Sequence, residues 1–100
     1  MDDETEHFDK LIEALSRARE AALRYDWDIG WFRTASSHAI TIGFYRNDSR
    51  WIKLGALLDN CAKVKPERRV HSIEIVGVLD YVISSVELLR VKTAPVREQQ

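Results

Sequence analysis

The chain has 100 residues, 45% of them hydrophobic and 31% charged, with a formal net charge of −1. That length suits one domain with one core, and the apolar content excludes a disordered chain. The near-neutral balance excludes a whole-molecule polycation, so any nucleic-acid contact must come from a local patch.

The first element is the clearest. Phe8, Leu11, Ile12, Leu15, Ala18, Ala22 and Tyr25 recur at helical spacing and predict one helix over residues 4–25. Glu6 with Lys10, Glu13 with Arg17 and Glu20 with Arg24 stand four apart with the acid first, the order that favours a helix. Asp26 to Gly30 breaks the pattern, with Trp27 in the break and Trp31 just beyond it.

Residues 31–46 read two ways. Trp31, Ala35, His38, Ile42 and Tyr45 fit one helix face, whereas Ile40, Ile42 and Phe44 alternate as a strand would. The rival to a helix is a hairpin turning near Ala35-Ser36-Ser37. The helix is preferred because the neighbouring segments are helical and the turn lacks an Asn-Gly signal.

Asn47-Asp48-Ser49 resembles a helix start, with Asp48 or Ser49 as cap. Trp51, Leu54, Leu57 or Leu58, Cys61 and Val64 follow at three- and four-residue steps, which predicts a helix over 49–64. Lys65-Pro66 ends it, and Pro66 suits the first turn of the next. Residues 67–91 are the most apolar: Ile75, Val78, Leu79, Val82, Val86 and Leu89 form a stripe that Ile73, Val76 and Ile83 widen. A helix this apolar is expected at the centre of a fold or in an interface. Gly43, Gly55 and Gly77 are expected at close helix–helix contacts. The expected architecture is therefore all-α, a compact antiparallel bundle of three to four helices, with an α+β form carrying a small hairpin in 31–46 as the alternative. It makes one domain over 1–93, with residues 94–100 as a flexible tail.

The charge is unevenly placed. Residues 1–20 hold seven acids against three bases, a balance of −4, and residues 31–69 hold eight bases against three acids, a balance of +5. The lone Cys61 allows no internal disulfide and suits a reduced, cytoplasmic setting, where it is expected to pack as a small apolar residue. No secretory signal is expected from the acidic N-terminus, and no apolar run approaches the ~20 residues that span a bilayer.

Chemistry-bearing patterns are sparse. His7, His38 and His71 form no paired metal spacing, the serines lack a nucleophile-elbow context and the glycines build no phosphate loop. No catalytic site, metal or cofactor is expected. One short pattern, Arg33-x-x-x-x-His38, resembles the motif of HEPN-type ribonucleases, helical domains that usually dimerise. The resemblance covers six residues and implies an arginine that holds phosphate charge beside a histidine that handles protons. Here the motif stands early in the chain, and Ile40 occupies the position of that family's aromatic.

Partner binding is the leading expectation. Trp and Arg are the side chains enriched in binding hot spots. The candidate contact set is Trp27, Trp31, Arg46, Arg50, Trp51, Lys63, Lys65, Arg68 and Arg69. These residues suggest a non-enzymatic interaction protein, an adaptor or an inhibitor that binds a larger protein or complex, with self-association through the last helix. Small cytoplasmic chains of this size class include phage-encoded inhibitors of host defence such as anti-CRISPR proteins. The alternatives are a nucleic-acid binder using the basic 46–69 region, an acidic first helix that mimics nucleic acid through Glu6, Asp9 and Glu13, and the ribonuclease. No membrane partner is expected.

Overall fold

In the computed structural model, four helices follow one another: α1 (Asp3–Leu23), α2 (Ile29–Arg46), α3 (Ser49–Lys63) and α4 (Arg69–Lys92). The structure describes residues 3–24, 29–63 and 69–92, with side chains except at 3, 29, 69–72 and 91–92. Trp27, Pro66 and the expected tail 94–100 lie outside the described residues. The fold is an all-helical bundle, and among the described residues there is no strand.

The stripe of α1 does what its spacing predicts. Phe8, Leu11, Ala14, Leu15, Ala18 and Ala22 are buried, while Glu6, Asp9, Lys10, Glu13 and Arg17 face outward. Of the three acid-first pairs, Glu6–Lys10 closes at 2.9 Å. Arg19 instead reaches across to α4, where its Nε donates to Asp80 Oδ1 at 2.6 Å.

The ambiguous segment is a helix, and its residues show why. Phe32, Ala35, Ser36, Ala39, Ile42 and Gly43 are buried, a three-and-four spacing. The strand-like alternation does not survive packing, because Ile42 is buried while Phe44 is 74% exposed. The hydroxyl of Thr41 donates to the Ser37 carbonyl at 2.9 Å, which gives this strand-favouring residue a partner within the helix. α2 is the central helix and packs against both α1 and α3. Apolar surface on two sides is what blurs its period.

The α2–α3 corner is built from backbone chemistry. Asn47 takes the left-handed conformation, with φ of 51°. Its N–H donates to the Phe44 carbonyl, and the Asp48 N–H to the Gly43 carbonyl at 3.0 Å, the paired bonds of a Schellman motif. Asp48 then caps α3 by accepting from the Arg50 N–H at 3.0 Å. The two helices are thus separated by a turn rather than joined through a kink.

Two of the three glycines sit where helices touch. A Cβ on Gly43 would lie 2.7 Å from Ile52 Cγ1, and one on Gly55 would lie 2.6 Å from Ile40 Cγ1 and 3.0 Å from the Ser36 carbonyl oxygen. Close approach also lets the Ser36 hydroxyl donate to the Gly55 carbonyl at 2.7 Å. Gly77 departs from expectation: a Cβ there would meet nothing within 4 Å, because Gly77 lies on the exposed side of α4 while Ile75 and Val78 pack on the core from its other side. The two sites therefore respond oppositely to alanine. Gly55→Ala overpacks a contact against backbone and is expected to lower stability by about 1–2 kcal/mol net of its helix-propensity gain. Gly77→Ala is expected to raise the stability of the protomer by up to about 1 kcal/mol. Urea denaturation of the two variants reads both signs, and a stabilised Gly55→Ala would contradict the packing described.

The core gathers Leu11, Leu15, Phe32, Ile42, Trp51, Leu58, Leu79, Val82 and Val86. α4 is not its centre. It buries Leu79, Val82, Val86 and Leu89, packs mainly on α1 and barely touches α3. Among the described residues no helix is long and apolar enough to cross a membrane.

Candidate binding surfaces and the histidine pair

The nine residues expected to bind a partner do not form one surface. Trp51 is fully buried, with its ring edge-on to Phe8 at 5.3 Å between centroids, so it serves the core instead of an interface. The helical stripe that placed it beside Leu54 also places it inward. Trp31 is half-buried and packs against the core. Trp27, Lys65 and Arg68 lie outside the described residues, and of Arg69 only the backbone is described.

The described bases are largely engaged. Arg46 makes a two-pronged bond to Glu4, both contacts at 3.0 Å, and its side chain is only 8% exposed. It also lies over the Phe8 ring, 4.8 Å from the centroid. Arg50 binds Asp48 through Nε at 3.0 Å and through a terminal nitrogen at 2.8 Å. That guanidinium holds the Asp48 carboxyl below its usual range. Lys63 pairs with Asp59 at 3.3 Å. Arg50 and Lys63 stand at opposite ends of α3, about 20 Å apart along its axis. The basic region 46–69 is therefore divided among the described residues, and three of its cations already face carboxylates.

What the corner does present is aromatic. Phe44 and Tyr45, the last residues of α2 before Arg46, are both exposed. They stand in the last turn of α2, which the Schellman–cap turn closes, and Arg50 follows in the first turn of α3. The sequence offers a signal for Phe44, which falls outside the three-and-four stripe of α2. A second surface lies between α3 and α4, where the helices diverge. There a groove of about 360 Å³ is walled by Leu54, Leu57, Leu88 and Leu89, with Tyr81 and Ser85 on one side and Arg50 and Lys53 on the other.

His7 and His38, 31 residues apart in sequence, meet between α1 and α2 with their Nδ1 atoms 2.8 Å apart. One ring donates and the other accepts. The ring centroids are 5.0 Å apart, close to the nitrogen separation plus both ring radii. The two nitrogens therefore point at each other along one line, as in a shared-proton bond, rather than converging on a third atom as chelating ligands would. Tyr45 lies next to His7, with centroids 5.9 Å apart.

Burial, then the charge of His7 and of Lys10, push the His38 imidazole below its ordinary value of 6.5, while Glu6 opposes them. The folded state thus binds this proton less readily than the unfolded chain. The stabilising effect is complete above pH 6.5 and is lost as pH falls through the lower folded value. Stability is expected to decline as pH falls below 6.5, and His38→Gln is expected to flatten that decline in denaturation curves taken above and below that pH. A slope as steep as wild type in the variant would reject the role of His38.

Arg33 and His38 do not converge within their helix. Five residues at 100° each place them about 140° apart around α2. Arg33 is exposed, and His38 is half-buried against His7. Cys61 is half-buried against the core, where burial raises its thiol pKa. Among the described residues no three metal-ligating side chains gather. No family model matches this chain, and no curated protein or solved structure matches it.

Proposed function

We propose that this chain is a non-enzymatic interaction module, an adaptor or inhibitor that engages a larger protein through its α2–α3 corner. The observation that carries this reading is the pair Phe44 and Tyr45, exposed side by side on a turn fixed by Asn47 and Asp48. Large aromatics on a pre-formed backbone lose little conformational entropy on binding. Arg50, held in place by Asp48, adds a hot-spot residue type at the same corner. The ion pairing of Arg46, Arg50 and Lys63 favours a protein partner over nucleic acid, because bases already facing carboxylates release fewer counterions from a phosphate backbone.

The test uses the full chain as bait in an extract of its native host. Phe44→Asp is expected to abolish capture of the partner and to change stability by no more than about 0.5 kcal/mol, as a surface substitution does. Ser16→Asp, on the exposed face of α1, is expected to leave capture intact. A partner retained by Phe44→Asp would reject this corner as the binding site. RNA cleavage by wild type that is lost in His38→Ala would instead establish the ribonuclease.

A further inference from the structure

The outer face of α4 is uncovered among the described residues, and it has an order. At 100° per residue, Ile73, Gly77, Tyr81, Ser84 and Leu88 fall within a band about 80° wide. Ile73, Tyr81 and Leu88 are 59%, 63% and 55% exposed, large values for such side chains. Gly77 and Ser84 are also exposed, and they leave low points between the large residues. The order reads the same in both directions about a centre between Asp80 and Tyr81: large Ile73 mirrors large Leu88, and small Gly77 mirrors small Ser84. An antiparallel two-fold contact about that centre sets like layers of two identical chains against each other, large on large and small on small.

The two halves of α4 also differ in a way that a second copy would resolve. In its N-terminal half Ile75 and Val78 pack partly on the core, Gly77 faces open space, and among the described residues the fully buried ones begin at Leu79. Its C-terminal half borders the groove against α3. Glu74 is exposed on the N-terminal half, on the side of the band that continues, further along the helix, into Ser85 and the groove. The groove carries Arg50 and Lys53 on its α3 side.

We infer that α4 pairs antiparallel with α4 of a second copy of this chain, the N-terminal half of each lying along the groove of the other. Ile73 then meets the second copy's Leu88, and Gly77 meets its Ser84. Glu74 lies toward the second copy's Arg50 and Lys53. The arrangement closes on itself, so it gives a dimer and not a filament. It leaves Phe44 and Tyr45 out of the interface, shares only Arg50 with the α2–α3 corner, and does not depend on the partner proposed for that corner.

The test is cross-linking of the full chain in a Cys61→Ser background. Residues 73 and 88 lie about 22 Å apart along one helix, too far for a bond within a chain. Under mild oxidation, Ile73→Cys/Leu88→Cys is expected to form a disulfide-linked dimer, whereas each single variant stays largely uncross-linked. Light scattering of the wild type is expected to show a dimer. Glu74→Lys is expected to weaken it roughly tenfold in Kd, and adding Lys53→Glu to restore it. Circular dichroism checks that each variant remains helical. A wild type that stays monomeric at hundreds of micromolar would overturn the inference. So would single-cysteine variants that cross-link as well as the double one, since that outcome requires a different register.

Discussion

Trp51→Ala is expected to lower the stability of this protein by about 3–5 kcal/mol, the range for truncating a large buried aromatic. The ring is fully enclosed, in edge contact with Phe8, and sits where α3 meets α2 beside Gly43. Little can collapse into the space it would leave, because the two helices are already in close contact at Gly43 and Gly55. Trp51→Phe is expected to cost much less. The indole Nε1 of Trp51 is buried with no hydrogen-bond partner among the described residues. An unsatisfied buried donor carries a penalty of about 1–3 kcal/mol, and phenylalanine removes it together with part of the ring. Urea denaturation at neutral pH measures both variants. An alanine variant within about 0.5 kcal/mol of wild type would mean that the ring is not core.

The second large effect belongs to Glu4 and Arg46. Their two bonds tie the first turn of α1 to the last turn of α2, with Arg46 at 8% and Glu4 at 20% side-chain exposure. Removing one partner of a fully buried pair costs about 3–5 kcal/mol, because the remaining charge loses its counterpart. The partial hydration of Glu4 places the expected loss for Glu4→Ala nearer 2–3 kcal/mol by the same reasoning. Arg46→Ala adds the loss of its stacking on Phe8. Glu4→Leu/Arg46→Leu is expected to recover most of the deficit, since two apolar side chains leave no stranded charge. A double-mutant cycle measured by chemical denaturation separates the pair from its surroundings, and additive single effects would show that the bonds contribute nothing.

These residues also show where the sequence stops being informative. The charge asymmetry between residues 1–20 and 31–69 is visible by counting, and Glu4 with Arg46 is one place where the two regions meet. The partners stand 42 residues apart, and no local spacing connects them. The same holds for His7 and His38. The bases of region 46–69 are close in sequence, yet among the described ones α3 separates Arg46 and Arg50 from Lys63, and carboxylates engage all three.

By itself the sequence determined where α1 and α3 form and which of their faces turn inward, because a 3.6-residue period is a local property of the backbone. It also determined that α4 carries more apolar surface than one contact needs. The tertiary structure decided what covers each face. α2 became the central helix because α1 and α3 press on it from two sides, the very condition that blurs its periodicity. Trp51 became core while Phe44, seven residues earlier, remained exposed. Both are large aromatics; each helix's own stripe separates them, and the close contact of α2 and α3 at Gly43 and Gly55 encloses the one that points inward. Contacts between helices depend on how the helices cross, and crossing is a property of the whole chain, which no window of neighbouring residues contains.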